Sequence, residues 1–173
     1  MTVQNAINWP DKYLPGTGDN FVSNEVVVQG VTAAQVWRYL VDTSTWESYY
    51  DNVGDISFPH GGGPELAQDI DFSFSTFGFP PLEAHVAEFQ APAEGTPGRL
   101  SWTAKQDGTP QEQLDVLHAW LVEDLPHNRV RVLTQETQIG RPAAELADQV
   151  PNPMLNGHQA WLNGLIRAAQ GQI

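Results

Sequence analysis

Residues 152–169 read Asn152-Pro-Met-Leu-Asn-Gly-His-Gln-Ala-Trp-Leu-Asn-Gly-Leu-Ile-Arg-Ala-Ala169. Asn152 can accept a hydrogen bond from an early N–H of a helix, and Pro153 suits the first helical position, where no N–H is needed. After that start, Met154, Leu155, His158, Trp161, Leu162, Leu165, Ile166 and Ala169 fall at helical spacing on one broad apolar face. The spacing predicts a helix over 153–169, preceded by a shorter one over 142–149 that Pro151 stops. So wide a face has to be buried, and only a sheet built from the preceding chain is large enough to bury it.

That sheet is legible outward from the helix. Runs at Arg129–Ile139, Glu112–Glu123, Arg99–Lys105, Leu82–Gln90, Gln68–Thr76 and Asp55–Phe58 are each bounded by turn residues such as Leu125-Pro-His-Asn128, Asp107-Gly-Thr-Pro110 and His60-Gly-Gly-Gly-Pro64. A first strand is expected over Asn24–Gln29, where Val26, Val27 and Val28 are β-branched, and Gly30 ends it. Short turns between successive runs favour antiparallel neighbours, seven strands in all. Between the first two strands Thr32 and Gln35 read as a capping box, with Val31 able to staple against Val36, and Trp37, Leu40 and Val41 continue an apolar stripe. Ser44 and Glu47 read as a second capping box, for a short helix carrying Trp46, Tyr49 and Tyr50. Residues 1–21, rich in Pro, Gly and Asn, are expected to form an extended arm, and residues 22–173 the domain.

Composition limits what such a domain does. Eight Lys and Arg oppose 21 Asp and Glu, a formal net charge of −13 over 173 residues. Such a surface repels phosphate backbones and anionic headgroups, so neither nucleic acid nor a membrane surface is an expected partner. There is no cysteine, hence no disulfide, thiolate nucleophile or sulfur-ligated metal. The N-terminus lacks the basic and apolar regions of a signal peptide, and no apolar run approaches the about 18–20 residues of a membrane helix, so a cytoplasmic protein is expected.

The order strand, two short helices, six strands, long C-terminal helix resembles the START-like (SRPBCC) superfamily. Val31-Thr-Ala-Ala-Gln-Val-Trp37 and Trp46-Glu-Ser-Tyr-Tyr50 are similar to that family's opening helices. Leu100-Ser-Trp102, His118-Ala-Trp120, Thr134-Gln-Glu-Thr-Gln138 and His158-Gln-Ala-Trp-Leu162 resemble phrases of bacterial members labelled polyketide cyclase or dehydrase. The resemblance covers roughly residues 22–170 and implies an α+β helix-grip fold, a curved antiparallel sheet wrapped around the C-terminal helix with a ligand cavity between them. Members include lipid carriers, metabolite binders, aromatase/cyclases and chaperone co-activators, so the resemblance does not select an activity.

Strand alternation nominates the residues of that cavity. In the run over Glu112–Glu123, Leu114, Val116, His118, Trp120 and Val122 share the more apolar face and should point inward. Val130, Val132, Thr134, Glu136 and Gln138 share a face on the next strand. A hairpin turning near Pro126 then sets His118 opposite Thr134 and diagonal to Glu136. With Phe72, Phe74, Trp102, His158 and Trp161 these residues make an aromatic lining with four polar groups, His118, Thr134, Glu136 and His158. That composition suits a small hydrophobic or aromatic metabolite, or a lipid.

A His118–Glu136 pair could also perform acid–base chemistry of a cyclase or dehydratase, or be a structural hydrogen bond. A third alternative is an interaction module of the chaperone co-activator kind, working through the outer sheet face. The histidines show no H-x-x-x-H or H-E-x-x-H spacing, His60 and His127 lie in turns, and neither a metal nor another cofactor is expected. Oligomeric state is not legible.

Overall fold

In the computed structural model, which describes residues 3–173, the predicted terminal helix lies against one face of a single antiparallel sheet. The strands are β1 (Asn20–Gln29), β2 (Gly54–Ser57), β3 (Asp71–Ser75), β4 (Leu82–Gln90), β5 (Gly98–Gln106), β6 (Leu114–Leu125) and β7 (Arg129–Ile139). The helices are α1 (Ala33–Val41), α2 (Trp46–Tyr49), α3 (Arg141–Ala147) and α4 (Pro153–Ala169). The sheet runs β1-β7-β6-β5-β4-β3-β2, so turns join neighbours from β2 to β7 and only the α1–α2 connection passes from one edge to the other. This is the expected α+β helix-grip architecture.

α4 has the expected bounds. Asn152 Oδ1 accepts from the Met154 N–H at 3.0 Å, and Pro153 opens the first turn. Met154, His158, Trp161, Leu162, Leu165 and Ile166 are buried, whereas Leu155 is 40% exposed, at the margin of the face. Two glycines allow neighbours to approach the helix. A Cβ on Gly164 would stand 2.0 Å from the Tyr49 carbonyl oxygen, and one on Gly157 would stand 2.2 Å from Phe77 Cζ. Each glycine costs about 1 kcal/mol of helix propensity, and in exchange α2 and the β3–β4 turn seat directly on α4.

The capping box of α1 forms as predicted: Gln35 N–H donates to Thr32 Oγ1 at 3.2 Å and Thr32 N–H to Gln35 Oε1 at 2.9 Å. The second box does not. Asp42 Oδ1 takes the Ser44 N–H at 3.0 Å and starts a short 3-10 turn over Thr43–Thr45, so α2 begins at Trp46 without a side-chain cap. Asp42 takes the Ser44 N–H that the Glu47 side chain would accept in a capping box, and the Ser44 hydroxyl donates to Asp42 instead of accepting from the Glu47 N–H.

β1 begins at Asn20, four residues before the expected Asn24, because its ladder to β7 continues through Asn20↔Gln138. The preceding residues cross the outer face of the sheet. Asn5 donates to Glu123 and accepts from Arg131, Arg99 donates to the Ala6 carbonyl, Asn8 to Glu88, and Tyr13 to Asp115. Between those anchors Leu117, Ala119 and Leu121, which point outward from β6, are buried. No helix among the described residues is long and apolar enough to cross a membrane.

Candidate functional site

β6 and β7 supply the polar centre. Their hairpin pairs Leu125 with Arg129 and pivots on His127, at φ +66, rather than on Pro126. The register is thereby displaced by two residues from the expected one: His118 faces Glu136, and Trp120 faces Thr134. An even displacement leaves every side chain on its predicted face. All nine nominated residues, Phe72, Phe74, Trp102, His118, Trp120, Thr134, Glu136, His158 and Trp161, are buried, the most exposed at 5%.

Within this group the hydrogen bonds differ from the expected pairing. His118 Nε2 lies 2.8 Å from Thr134 Oγ1, which is 3.2 Å from the Ala119 carbonyl oxygen it can donate to. Glu136 instead meets α4, its Oε2 standing 2.8 Å from His158 Nε2. That contact is off the line of a hydrogen bond, so Oε2 has no directed donor, and His158 Nδ1 has no partner among the described residues. The two imidazoles stack, ring centroids 4.3 Å apart and planes 11° from parallel. Burial, with the His158 imidazole adding to it, holds the pKa of His118 well below the ordinary histidine value.

Glu136 is also the end of a chain of buried amides. Gln138 donates to Glu136 Oε1 at 3.4 Å, Asn20 to Gln138 at 2.8 Å, and Asn152 to Asn20 at 2.8 Å. Every amide in that series directs its NH2 toward the carboxylate, while Asn152 Oδ1 caps α4. An acceptor-only terminus is what an ionised carboxylate provides.

Aromatic rings enclose the cluster. Trp102, Trp120 and Trp161 have centroids 4.9, 5.2 and 5.4 Å from that of His118. The Nε1–H groups of Trp102, Trp120 and Trp161 are buried and have no acceptor among the described residues. The rings are closely packed: Trp46, Trp102, Trp120, Trp161 and Phe72 are each no more than 2% exposed. The rings that the family resemblance places around a cavity are packed against one another.

Three participants were not nominated from sequence. Trp46 packs 5.0 Å from Trp161, and Tyr50 stacks on Trp161 at 4.7 Å and 16°. Burial, above all, pushes the Tyr50 phenol upward, so it stays neutral. Phe77, in the turn after β3, closes the α4 side with its ring 6.3 Å from His158 at 71°, and holds a left-handed φ of +51. An aromatic residue directly before Gly78, in a turn that also carries Phe79, was the available signal.

Of the described residues, His118, Glu136 and His158 each offer a metal-ligating atom within 4.8 Å of the others. The spacing rule behind the expectation of no metal sees neighbours in sequence only, whereas these three come from β6, β7 and α4.

No protein-family model matches the sequence, and no curated protein matches it. Among solved structures, a hypothetical protein, jhp0584, from Helicobacter pylori is 50% identical, over 98% of this chain and 99% of that one, with a TM-score of 0.93. The di-domain ARO/CYC protein BexL of the BE-7585A biosynthetic pathway is 12% identical with a TM-score of 0.61, over 87% of this chain and 46% of that one. Ara h 8.0201 is 11% identical with a TM-score of 0.56, over 88% of this chain and 99% of that one. The last two likenesses are of fold.

Proposed function

From a chain that belongs to the family of the H. pylori protein jhp0584 and has the START-like (SRPBCC) fold, we propose a binder of one small aromatic or apolar molecule between the sheet and α4. The observation that carries the proposal is a concentration of unsatisfied polar atoms inside an aromatic core: Glu136 Oε2, His158 Nδ1 and the indole N–H groups of Trp102 and Trp120. A buried polar group without a partner costs about 1–3 kcal/mol, and a ligand carrying a hydroxyl or carbonyl would recover part of that cost. Thr134, His118, Glu136 and His158 are then its polar anchors, and Phe72, Phe74, Trp102, Trp120 and Trp161 its walls.

Because the rings are closely packed, entry requires a side chain to leave. Phe77 is the natural one: its strained backbone favours departure, and its ring rests on the helix at Gly157 beside His158. Native mass spectrometry of gently purified protein should show a co-purified small molecule, and 2-naphthol should change the fluorescence of the buried tryptophans saturably at 1:1. Protein that emerges empty and is indifferent to 2-naphthol contradicts the proposal.

A cyclase or dehydratase is the second reading. The 2.8 Å approach of His158 to Glu136 favours that pair for acid–base work, with His118 committed to Thr134. The interaction-module reading has less support, since the N-terminal arm occupies the outer face of β4–β7.

A further inference from the structure

We propose that His118, Glu136 and His158 bind one divalent first-row transition-metal ion. The three side chains converge from β6, β7 and α4, each offering a ligating atom within 4.8 Å of the others, and they are 3%, 5% and 2% exposed. Two imidazoles and a carboxylate form a nitrogen–oxygen donor set without sulfur, which suits zinc, cobalt(II) or iron(II). Calcium and magnesium would require more oxygen ligands than the cluster contains.

The surrounding groups are arranged as supports for ligands. Thr134 holds His118 by Nε2, which leaves Nδ1 without a hydrogen-bond partner among the described residues. Gln138 holds Glu136 by Oε1, backed by Asn20 and Asn152, which leaves Oε2. Such outer contacts fix a ligand's orientation, and an imidazole that donates its other N–H outward, as His118 can to Thr134, also becomes the more basic ligand. The remaining contact, His158 Nε2 to Glu136 Oε2, is 2.8 Å long and off-line. A tetrahedral ion with bonds of about 2.0–2.2 Å would hold those atoms about 3.3–3.6 Å apart, so the pair would need to open by about 0.5–0.8 Å. An ion there also supplies a countercharge for a carboxylate toward which every neighbouring amide directs a donor. Metal binding shares residues with the proposed ligand site but does not rest on that reading.

The test is titration of EDTA-treated protein with Co2+ alone, followed by visible absorption, with Zn2+ retention after desalting measured by elemental analysis. One equivalent should bind with saturable d–d bands. Glu136→Gln should weaken binding by about tenfold or more, and Thr134→Val, which leaves all three ligands in place, by about 10–100-fold at unchanged stoichiometry. The double variant His60→Ala/His85→Ala, which removes exposed imidazoles, should bind as the wild type does.

Wild-type protein that retains no stoichiometric metal overturns the proposal. So do bands lost from the His60→Ala/His85→Ala variant, or binding indifferent to both Glu136→Gln and Thr134→Val. If Glu136→Gln does not fold, the wild type, Thr134→Val and the outer double variant still decide. Binding of 2-naphthol to the metal-free protein is read separately, so either proposal can fail while the other stands.

Discussion

Two clusters of paired histidines and carboxylates lie on opposite faces of the same sheet, the outer one with Asp69 as well as Asp71, and they behave as different chemistry. Outside, His60 Nδ1 and His85 Nδ1 approach the two oxygens of Asp71 at 2.9 and 2.7 Å, in a groove of about 410 Å3 that Glu83 and Lys105 also line. Inside, His118, Glu136 and His158 are enclosed by tryptophans. The outer imidazoles hold the Asp71 carboxyl below the ordinary aspartate value, His85 more than His60. In the inner cluster burial acts first and holds His118 neutral. Solvent lets the outer groups pair and separate at little cost, whereas an inner group left without a partner lowers stability.

The contrast is tested first at its walls. Trp161→Ala should lower the free energy of unfolding by about 3–5 kcal/mol, measured by urea denaturation, while Ser73→Ala in the outer groove leaves the midpoint unchanged. A small loss at Trp161 would mean that the inner rings do not confine the cluster. Thr134→Val comes next. It strands the buried Nε2 of His118 and should cost about 1–3 kcal/mol, against no measurable change for Asp71→Asn at pH 7.

Acid sharpens the comparison through two separate windows. A histidine whose folded pKa is depressed binds fewer protons folded than unfolded, so its contribution to stability is complete above the unfolded value of about 6.5 and is lost as pH falls below it. Unfolding midpoints of metal-free protein should therefore fall between pH 7.5 and 5.5, and His118→Gln should flatten that dependence. Asp71 is the opposite case. Its carboxyl is held low but is screened by solvent, so the stability it adds above the ordinary aspartate value of about 3.9 is too small to measure. Even that disappears only as pH falls through the lower folded value. Asp71→Asn should accordingly leave the profile above pH 5 unaltered, the smallest effect of the series.

What sequence revealed of these regions follows the range of the interactions. Asn152, Pro153 and the apolar spacing of 153–169 are local signals, and α4 has the bounds they predict. Strand parity is local too, so His118, Trp120, Thr134 and Glu136 were placed on the right face. Which residues stand opposite depends on whether the turn pivots on Pro126 or His127, and composition does not distinguish the two. The approach of His158 to Glu136 depends on how α4 sits on the sheet. The close packing of the rings depends on four tryptophans, from α2, β5, β6 and α4, meeting in one place. Neither has a signature along the chain. Ser44 and Glu47 matched a capping pattern locally, but Asp42, just outside that pattern, took the N–H instead.

The account's central claim, that the inner cluster is where a small molecule binds, is most directly tested by 15N NMR of the histidine rings during titration with 2-naphthol. The ring signals of His118 and His158 should shift together and saturate at one equivalent, while those of His60, His85 and His127 stay where they are. Shifts confined to the outer histidines, or none at any ratio, would contradict it.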